Sequence, residues 1–298
     1  MLTINNLNVK YGDKVVLNIK KPIKINYGDR VGIIGSNGAG KSTLVKSILG
    51  LTNYKGSIIT KLKPEDIGVH MQSNEYVECM KIKYIMEAIL GTKIKKNKRL
   101  QELISFFNFE ACLNKKFNEL SGGQKQRMTI IMVLMKDVPL VFFDEVTSGL
   151  DFETRQQLMD KINEWYENKT TAICIVSHYY EELEQIADKL LIIDKGRVVD
   201  FDTKEALFKK YCGNSVITIS NNKYNEKLIE GFNKIISADH LIALSCSGVN
   251  EELSLIKLLV NNNVNFKRSD NDIEIMYINA KATFNGIKGE VKNECKAI

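Results

Sequence analysis

The first 34 residues alternate between apolar and polar positions in strand fashion. β-Branched runs at 15–19 and 23–25 are separated by Pro22, and Tyr27-Gly28-Asp29 reads as a turn. Residues 30–34 form a short apolar strand that runs straight into a glycine-rich segment. Helical spacing follows over 42–49, with Gly50 placed to end it. Between 73 and 138 the period changes, and 80–90 and 100–109 read as amphipathic helices around a basic stretch. A buried strand at 140–143, a helix at 154–167 and a second buried strand at 171–176 then give the alternation of a parallel α/β core. Residues 190–194 and 197–201, around Lys195-Gly196, read as a hairpin.

Near residue 210 the pattern restarts. It predicts a strand at 216–219, a helix at 226–236, a strand at 241–245, a helix at 253–260 and a strand at 273–277. The expected organisation is an α/β domain over 1–210, with an antiparallel β subdomain and a helical subdomain at about 73–138. A small α+β domain over 211–280 follows, and a polar tail over 281–298 is expected to be loose.

Composition narrows the classes. The chain has 298 residues, 44% hydrophobic and 26% charged, enough for one large and one small core. It shows no apolar run of the about 20 residues that a membrane-spanning helix needs. Its N-terminus also lacks the basic stub and greasy block of a secretory signal, so a cytoplasmic location is expected. Cys79, Cys112, Cys174, Cys212, Cys246 and Cys295 show no CxxC spacing, which points to unpaired thiols rather than a zinc or disulfide framework. The net charge is +6, yet the basic cluster 93–99 has no interleaved aromatics, and no nucleic-acid partner is expected.

Two segments carry phosphate chemistry. Gly35-Ser36-Asn37-Gly38-Ala39-Gly40-Lys41-Ser42-Thr43 satisfies GxxxxGK(S/T) between a predicted strand and a predicted helix. Glycines let backbone N–H groups turn inward around a phosphate, and the helix N-terminus adds its positive end. Lys41 would meet the β- and γ-phosphates of ATP, and the Ser42 hydroxyl would ligate Mg²⁺. The apolar strand ending in Asp144-Glu145 delivers two carboxylates to the carboxyl edge of the sheet. Asp144 is the expected Mg²⁺ ligand and Glu145 the expected general base for the attacking water.

Leu120-Ser121-Gly122-Gly123-Gln124-Lys125-Gln126-Arg127 resembles, letter for letter, the LSGGQ signature of ABC transporter ATPases. A serine and two glycines at a helix N-terminus make a second anion nest. The resemblance covers residues 1–205 and implies a P-loop NTPase core of the ABC type. It also implies that Ser121, Gly122, Gly123 and Gln124 of one subunit close on ATP held by the phosphate loop of a second. Gln72 resembles the glutamine that senses Mg²⁺ and faces the membrane partner. Ser148-Gly149-Leu150-Asp151 resembles the D-loop that crosses to the other subunit, and His178 the switch histidine at the γ-phosphate. Tyr11 sits where the family stacks adenine. One departure stands out: many members carry proline after the catalytic glutamate, and this chain has Val146.

The family implies a second ATPase subunit, expected as a homodimer, and a separate transmembrane permease, with this chain peripheral on the cytoplasmic face of the membrane. The C-terminal unit loosely resembles the appendage of bacterial drug and bacteriocin exporter ATPases, which favours export. An importer ATPase and a soluble ABC ATPase acting on ribosomes or DNA stand as alternatives. The single phosphate loop and the absence of a sustained heptad run weigh against the soluble kind.

Overall fold

The computed structural model describes residues 1–71 and 76–286. The chain runs through β1 (Leu2–Tyr11), β2 (Lys14–Ile19), β3 (Ile23–Ile25), β4 (Arg30–Ile34), α1 (Lys41–Ile48), β5 (Tyr54–Thr60) and β6 (Ile67–His70). The helices α2 (Ile82–Leu90), α3 (Lys98–Phe106) and α4 (Gly122–Leu134) follow. Then come β7 (Leu140–Asp144), α5 (Phe152–Tyr166), β8 (Ala172–Val176), α6 (Tyr180–Ile186), β9 (Lys189–Asp194), β10 (Arg197–Thr203) and α7 (Lys204–Cys212). The last part contains β11 (Ser215–Ser220), α8 (Lys223–Leu228), β12 (Lys234–Ile235), β13 (Leu241–Cys246), α9 (Val249–Asn261), β14 (Phe266–Ser269) and α10 (Ile273–Phe284).

The central sheet has the order β10-β9-β4-β8-β7-β6, parallel except for the antiparallel edge strand β10. All five residues of β7 and all five of β8 are buried, as strands covered on both faces must be. Lys195 and Gly196, both at positive φ, turn β9 into β10 as the sequence predicts. A smaller antiparallel sheet lies on the N-terminal side: β5 runs along one edge of β1, and β2 and β3 divide the other edge between them. Its apolar face, including Leu7, Leu17 and Ile19, joins Leu44, Val45 and the strand residues Ile33 and Phe142 in one core. Ile85 of α2, Leu103 of α3, Phe107 just after it and Met128 of α4 belong to one core with Val141, Phe143 and Ile175 of the central sheet, and α4 lies against β6.

The C-terminal sheet is antiparallel, in the order β12-β13-β11-β14. One face packs Ile217, Ile219 and Leu244 on Leu255 and Leu259 of α9. Val216 and Ala243 instead join the large core, together with Ile273, Met276, Tyr277 and Ala280 of α10.

Three expectations change here. Residues 273–277 are the first turn and a half of α10, not a strand. The short alternation imitates a strand, but Asp272 caps the helix by accepting from the Ile275 N–H at 3.0 Å. Buried Ile273, Met276, Tyr277 and Ala280 then follow the helical i, i+3, i+4, i+7 spacing. Residues 281–284, expected as loose tail, continue this helix, while 287–298 lie outside the described residues. Finally, the helix expected over 226–236 ends at Leu228, and Lys234–Ile235 pairs with β13 as a strand.

Candidate nucleotide site

The strand β4 delivers the chain into the loop 35–40, and α1 begins immediately after it. Gly40 caps that helix at φ 105°, in the left-handed region, and a Cβ there would lie 2.5 Å from Leu17 Cδ2. The loop therefore wraps tightly under β2, and its residues 37–40 line an open cleft of about 430 Å³ together with Val16, Lys41, Glu145 and His178. Lys41 is buried, and its Nζ donates to the carbonyls of Gly35 at 2.7 Å and Ser36 at 3.3 Å. Burial lowers its pKa, while Glu145 and Asp144 pull the other way. The ammonium is thus held by the loop's own backbone at the place where a phosphate chain would lie.

Asp144 ends β7, 4% exposed, and accepts a hydrogen bond from Ser42 Oγ at 2.9 Å. Desolvation raises its pKa, and the Ser42 bond and the nearby Lys41 and His178 only partly offset the rise. A carboxylate buried at this cost, beside a hydroxyl, is a pair of hard oxygen donors that fits Mg²⁺. Gln72, the third expected ligand, lies outside the described residues.

Glu145 follows at φ 50°, a conformation uncommon for a side-chain-bearing residue, and its N–H donates to Val176 O at 2.9 Å. This turn swings its carboxylate away from Asp144 and toward the end of β8, where His178 Nε2 meets Glu145 Oε1 at 2.9 Å.

A second cleft, of about 250 Å³, is formed by Ser121, Gly122, Gly123, Gln124 and Arg127 at the start of α4 and by residues 149–151 and Thr154 before and within α5. Ser121 and Gln124 cap α4 reciprocally: Ser121 Oγ accepts from the Gln124 N–H at 3.3 Å, and Gln124 Oε1 accepts from the Ser121 N–H at 3.2 Å. Asp151 caps α5, accepting from the Thr154 N–H at 2.9 Å and Thr154 Oγ1 at 2.7 Å. Its carboxyl pKa is lowered by those two hydrogen bonds. The first cleft thus holds a lysine and two candidate proton-transfer groups, the second a nest of helix-start N–H groups and a serine. The clefts share no lining residue.

Most expected positions therefore gather into one or other cleft. Gly35 and Ser36 contribute the carbonyls that hold Lys41 rather than cleft wall. Tyr11, 49% exposed at the end of β1, is not among the residues lining the first cleft; Val16 of β2 is. Val16 and Thr154 escaped the sequence reading because each sits in an ordinary strand or helix pattern, and only folding brings it to a wall; Arg127, the last residue of the signature segment, has no role of its own in that reading.

A parallel sheet with a phosphate loop, an acidic strand end and a separate serine-glycine nest defines an ATPase of the ABC class. Residues 21–148 match the family described as ABC transporter. The chain is 28% identical over 232 residues, 73% of each chain, to the Nod factor export ATP-binding protein I of Rhizobium etli. It is 29% identical over 281 residues, 86% of each, to the methionine import ATP-binding protein MetN of Clostridioides difficile. With the linearmycin resistance ATP-binding protein LnrL of Bacillus subtilis it shares 28% identity over 247 residues, 77% of this chain and 78% of the relative. Among solved structures, cbiO1 from Clostridium perfringens, part of the ABC transporter complex cbiONQ, is similar at 25% identity. That match has a TM-score of 0.62 and covers 70% of this chain and 90% of that one. Among the described residues, no helix is long and apolar enough to cross a membrane.

Proposed function

We propose that two copies of this chain clasp ATP head-to-tail, and that their closure drives a separate membrane permease from the cytoplasmic side. The observation that carries the reading is the division of the site into two clefts with complementary equipment. One holds Lys41, Ser42, Glu145 and His178, with Asp144 buried behind Ser42 and bonded to it, and the other holds Ser121 and the nest behind it. Neither is complete alone for a reaction that must surround a triphosphate with donors.

In the closed pair, Lys41 leaves the carbonyls of Gly35 and Ser36 for the β- and γ-phosphate oxygens. Loop N–H groups hold the β-phosphate, and Ser121 with the α4 N-terminus of the second copy holds the γ-phosphate. Glu145 accepts a proton from the attacking water as its oxygen bonds to the γ-phosphorus and the bond to ADP breaks. His178 keeps the Glu145 carboxylate aimed at that water. Ser42 and Asp144 would hold a Mg²⁺ ion, which would supply positive charge to the phosphate oxygens.

Export is the proposed direction, supported by likeness to the Nod factor export and linearmycin resistance proteins. The methionine import relative supports the opposite direction, so transport itself must be measured. Affinity purification from detergent-solubilised cells tests the partnership: a polytopic membrane protein is expected in stoichiometric amount. Recovery with ribosomes or DNA instead would favour the soluble alternative. Inside-out vesicles carrying the complex then report direction, since an exporter fills them when ATP is added outside.

A further inference from the structure

The first turn of α6 contains a carboxylate that the scheme above does not use. Glu182 is 6% exposed, and its two oxygens accept hydrogen bonds from different loops. Thr147 Oγ1 donates to one oxygen at 2.6 Å, and Ser177 Oγ donates to the other at 2.7 Å. Arg155 Nη1 of α5 stands 3.9 Å from the same carboxylate, and the guanidinium carbon lies 3.7 Å from the centre of the Tyr179 ring. Thr147 is two residues after Glu145, Ser177 is one before His178, and Tyr179 is one after it.

We propose that Glu182 is a positioning residue for hydrolysis. By bridging Thr147 and Ser177 it fixes the turn that carries Glu145 against the loop that carries His178. The inference rests on the roles proposed above for Glu145 and His178.

The need for such a bridge is visible in the backbone. Glu145 occupies the left-handed region at φ 50°, a costly conformation for a side-chain-bearing residue unless its surroundings enforce it. The next residue is Val146, whose φ is not locked as a proline's would be. The turn closes through the Ser148 N–H to Glu145 O bond at 3.0 Å, and Thr147, 1% exposed, points inward from its middle. The Thr147–Glu182 bond is therefore a side-chain tie from inside this turn to an element beyond it. The Ser177 bond fastens the same carboxylate to the switch loop. Together they set the frame within which His178 Nε2 and Glu145 Oε1 meet at 2.9 Å.

A buried carboxylate is costly to keep unless it is paired and bonded, and Arg155 with the two hydroxyls supplies that compensation. Arg155 also lies one turn beyond Asp151, the α5 cap that lines the serine-glycine cleft. The cluster thus ties the hydrolytic face of one half-site to the α5 wall of the other within a single chain.

The consequence is kinetic. Misplacing a general base by about 1 Å costs on the order of a hundredfold in rate, whereas ATP affinity rests on the phosphate loop, which Glu182 does not touch. Thr147→Val removes the hydroxyl at nearly constant shape, and Thr147→Ser restores it. Thr147→Val is expected to lower kcat by about tenfold or more while KM and the equilibrium ATP Kd stay within about threefold, and Thr147→Ser is expected to stay within about twofold of wild type. Adding Thr147→Val to Glu182→Ala is expected to cost less than about twofold more, because the tie is already gone.

The Glu145→Gln variant is measured in parallel. If Thr147→Val retains wild-type kcat per folded molecule while Glu145→Gln is inactive, the positioning role is overturned and the base assignment stands. Normal turnover by Glu145→Gln would instead remove the reading beneath it. A Thr147→Val effect confined to the melting temperature also overturns the proposal.

Discussion

His178 Nε2 lies 2.9 Å from Glu145 Oε1, and the two side chains arrive there from the ends of adjacent parallel strands. The register pairs Asp144 with Val176, so each strand leaves the sheet at the same level. Glu145 then turns through positive φ toward the histidine. One strand end in this way sends Asp144 to Ser42 and Glu145 to His178, separating the proposed metal-binding and proton-transfer roles of two consecutive carboxylates.

This separation makes Glu145→Gln informative. The amide keeps the shape of the side chain and loses the basicity, so ATP should still bind and turnover should fall by about 10²–10⁴-fold, the usual worth of general base catalysis. Phosphate release reports the rate. Gel filtration with ATP and Mg²⁺ should show the variant accumulating as a dimer, because closure is no longer relieved by hydrolysis.

His70 gives the fold a pH dependence with a defined sign. It is fully buried in β6, its Nε2 lies 2.8 Å from Gln126 Oε1 of α4, and burial lowers its pKa to about 4. Between that value and the ordinary 6.5, the unfolded chain binds the proton and the folded chain does not. Stability contributed by this group is therefore complete above about pH 6.5 and is lost as the pH falls toward 4. The gap corresponds to about 3 kcal/mol at most. Urea midpoints at pH 5 and pH 7.5 should differ in this direction, and His70→Gln should flatten the difference. An unchanged slope in that variant would assign the effect to other groups.

Gly196 links the β9–β10 turn to the phosphate loop. Its N–H donates to Ala39 O at 3.0 Å, its carbonyl accepts from the Asn18 N–H at 2.7 Å, and a Cβ there would lie 2.2 Å from Val16 O. The residue also sits at φ 76°, so alanine meets both strain and a backbone clash. Gly196→Ala should cost about 2 kcal/mol or more in chemical denaturation and should weaken ATP binding, because the displaced backbone is the roof of the loop. Wild-type stability and affinity together would show that the turn moves freely.

The phosphate loop, the acidic strand end and the serine-glycine nest were legible from the chain because each is a local device. A strand, a tight glycine turn and a helix start lie within a few consecutive residues and need only local geometry. Elements set by tertiary partners were harder to read. Ile273–Phe284 shows a strand-like alternation at its start, and its helical burial becomes evident only once α6, α7 and β10 supply the surfaces that cover it. The strand Lys234–Ile235 exists only through β13. Glu182 gave no signal either, since an acidic residue in the first turn of a helix is ordinarily a solvated one. Its role depends on Thr147 and Ser177, 35 and 5 residues away. Tyr11, which the resemblance places as the adenine-stacking aromatic, stands exposed at the end of its strand.

The central claim, that ATP is completed between two copies, is tested most directly by mixing two inactive proteins. In a Lys41→Ala homodimer both phosphate loops are defective, and in a Ser121→Ala homodimer both nests are. A heterodimer of the two pairs one intact loop with one intact nest and confines both lesions to the other site. Random exchange should then restore about a quarter of the wild-type ATPase rate, since half the dimers are mixed and each has one of two sites intact. A mixture whose rate never exceeds the average of its two components would contradict the account.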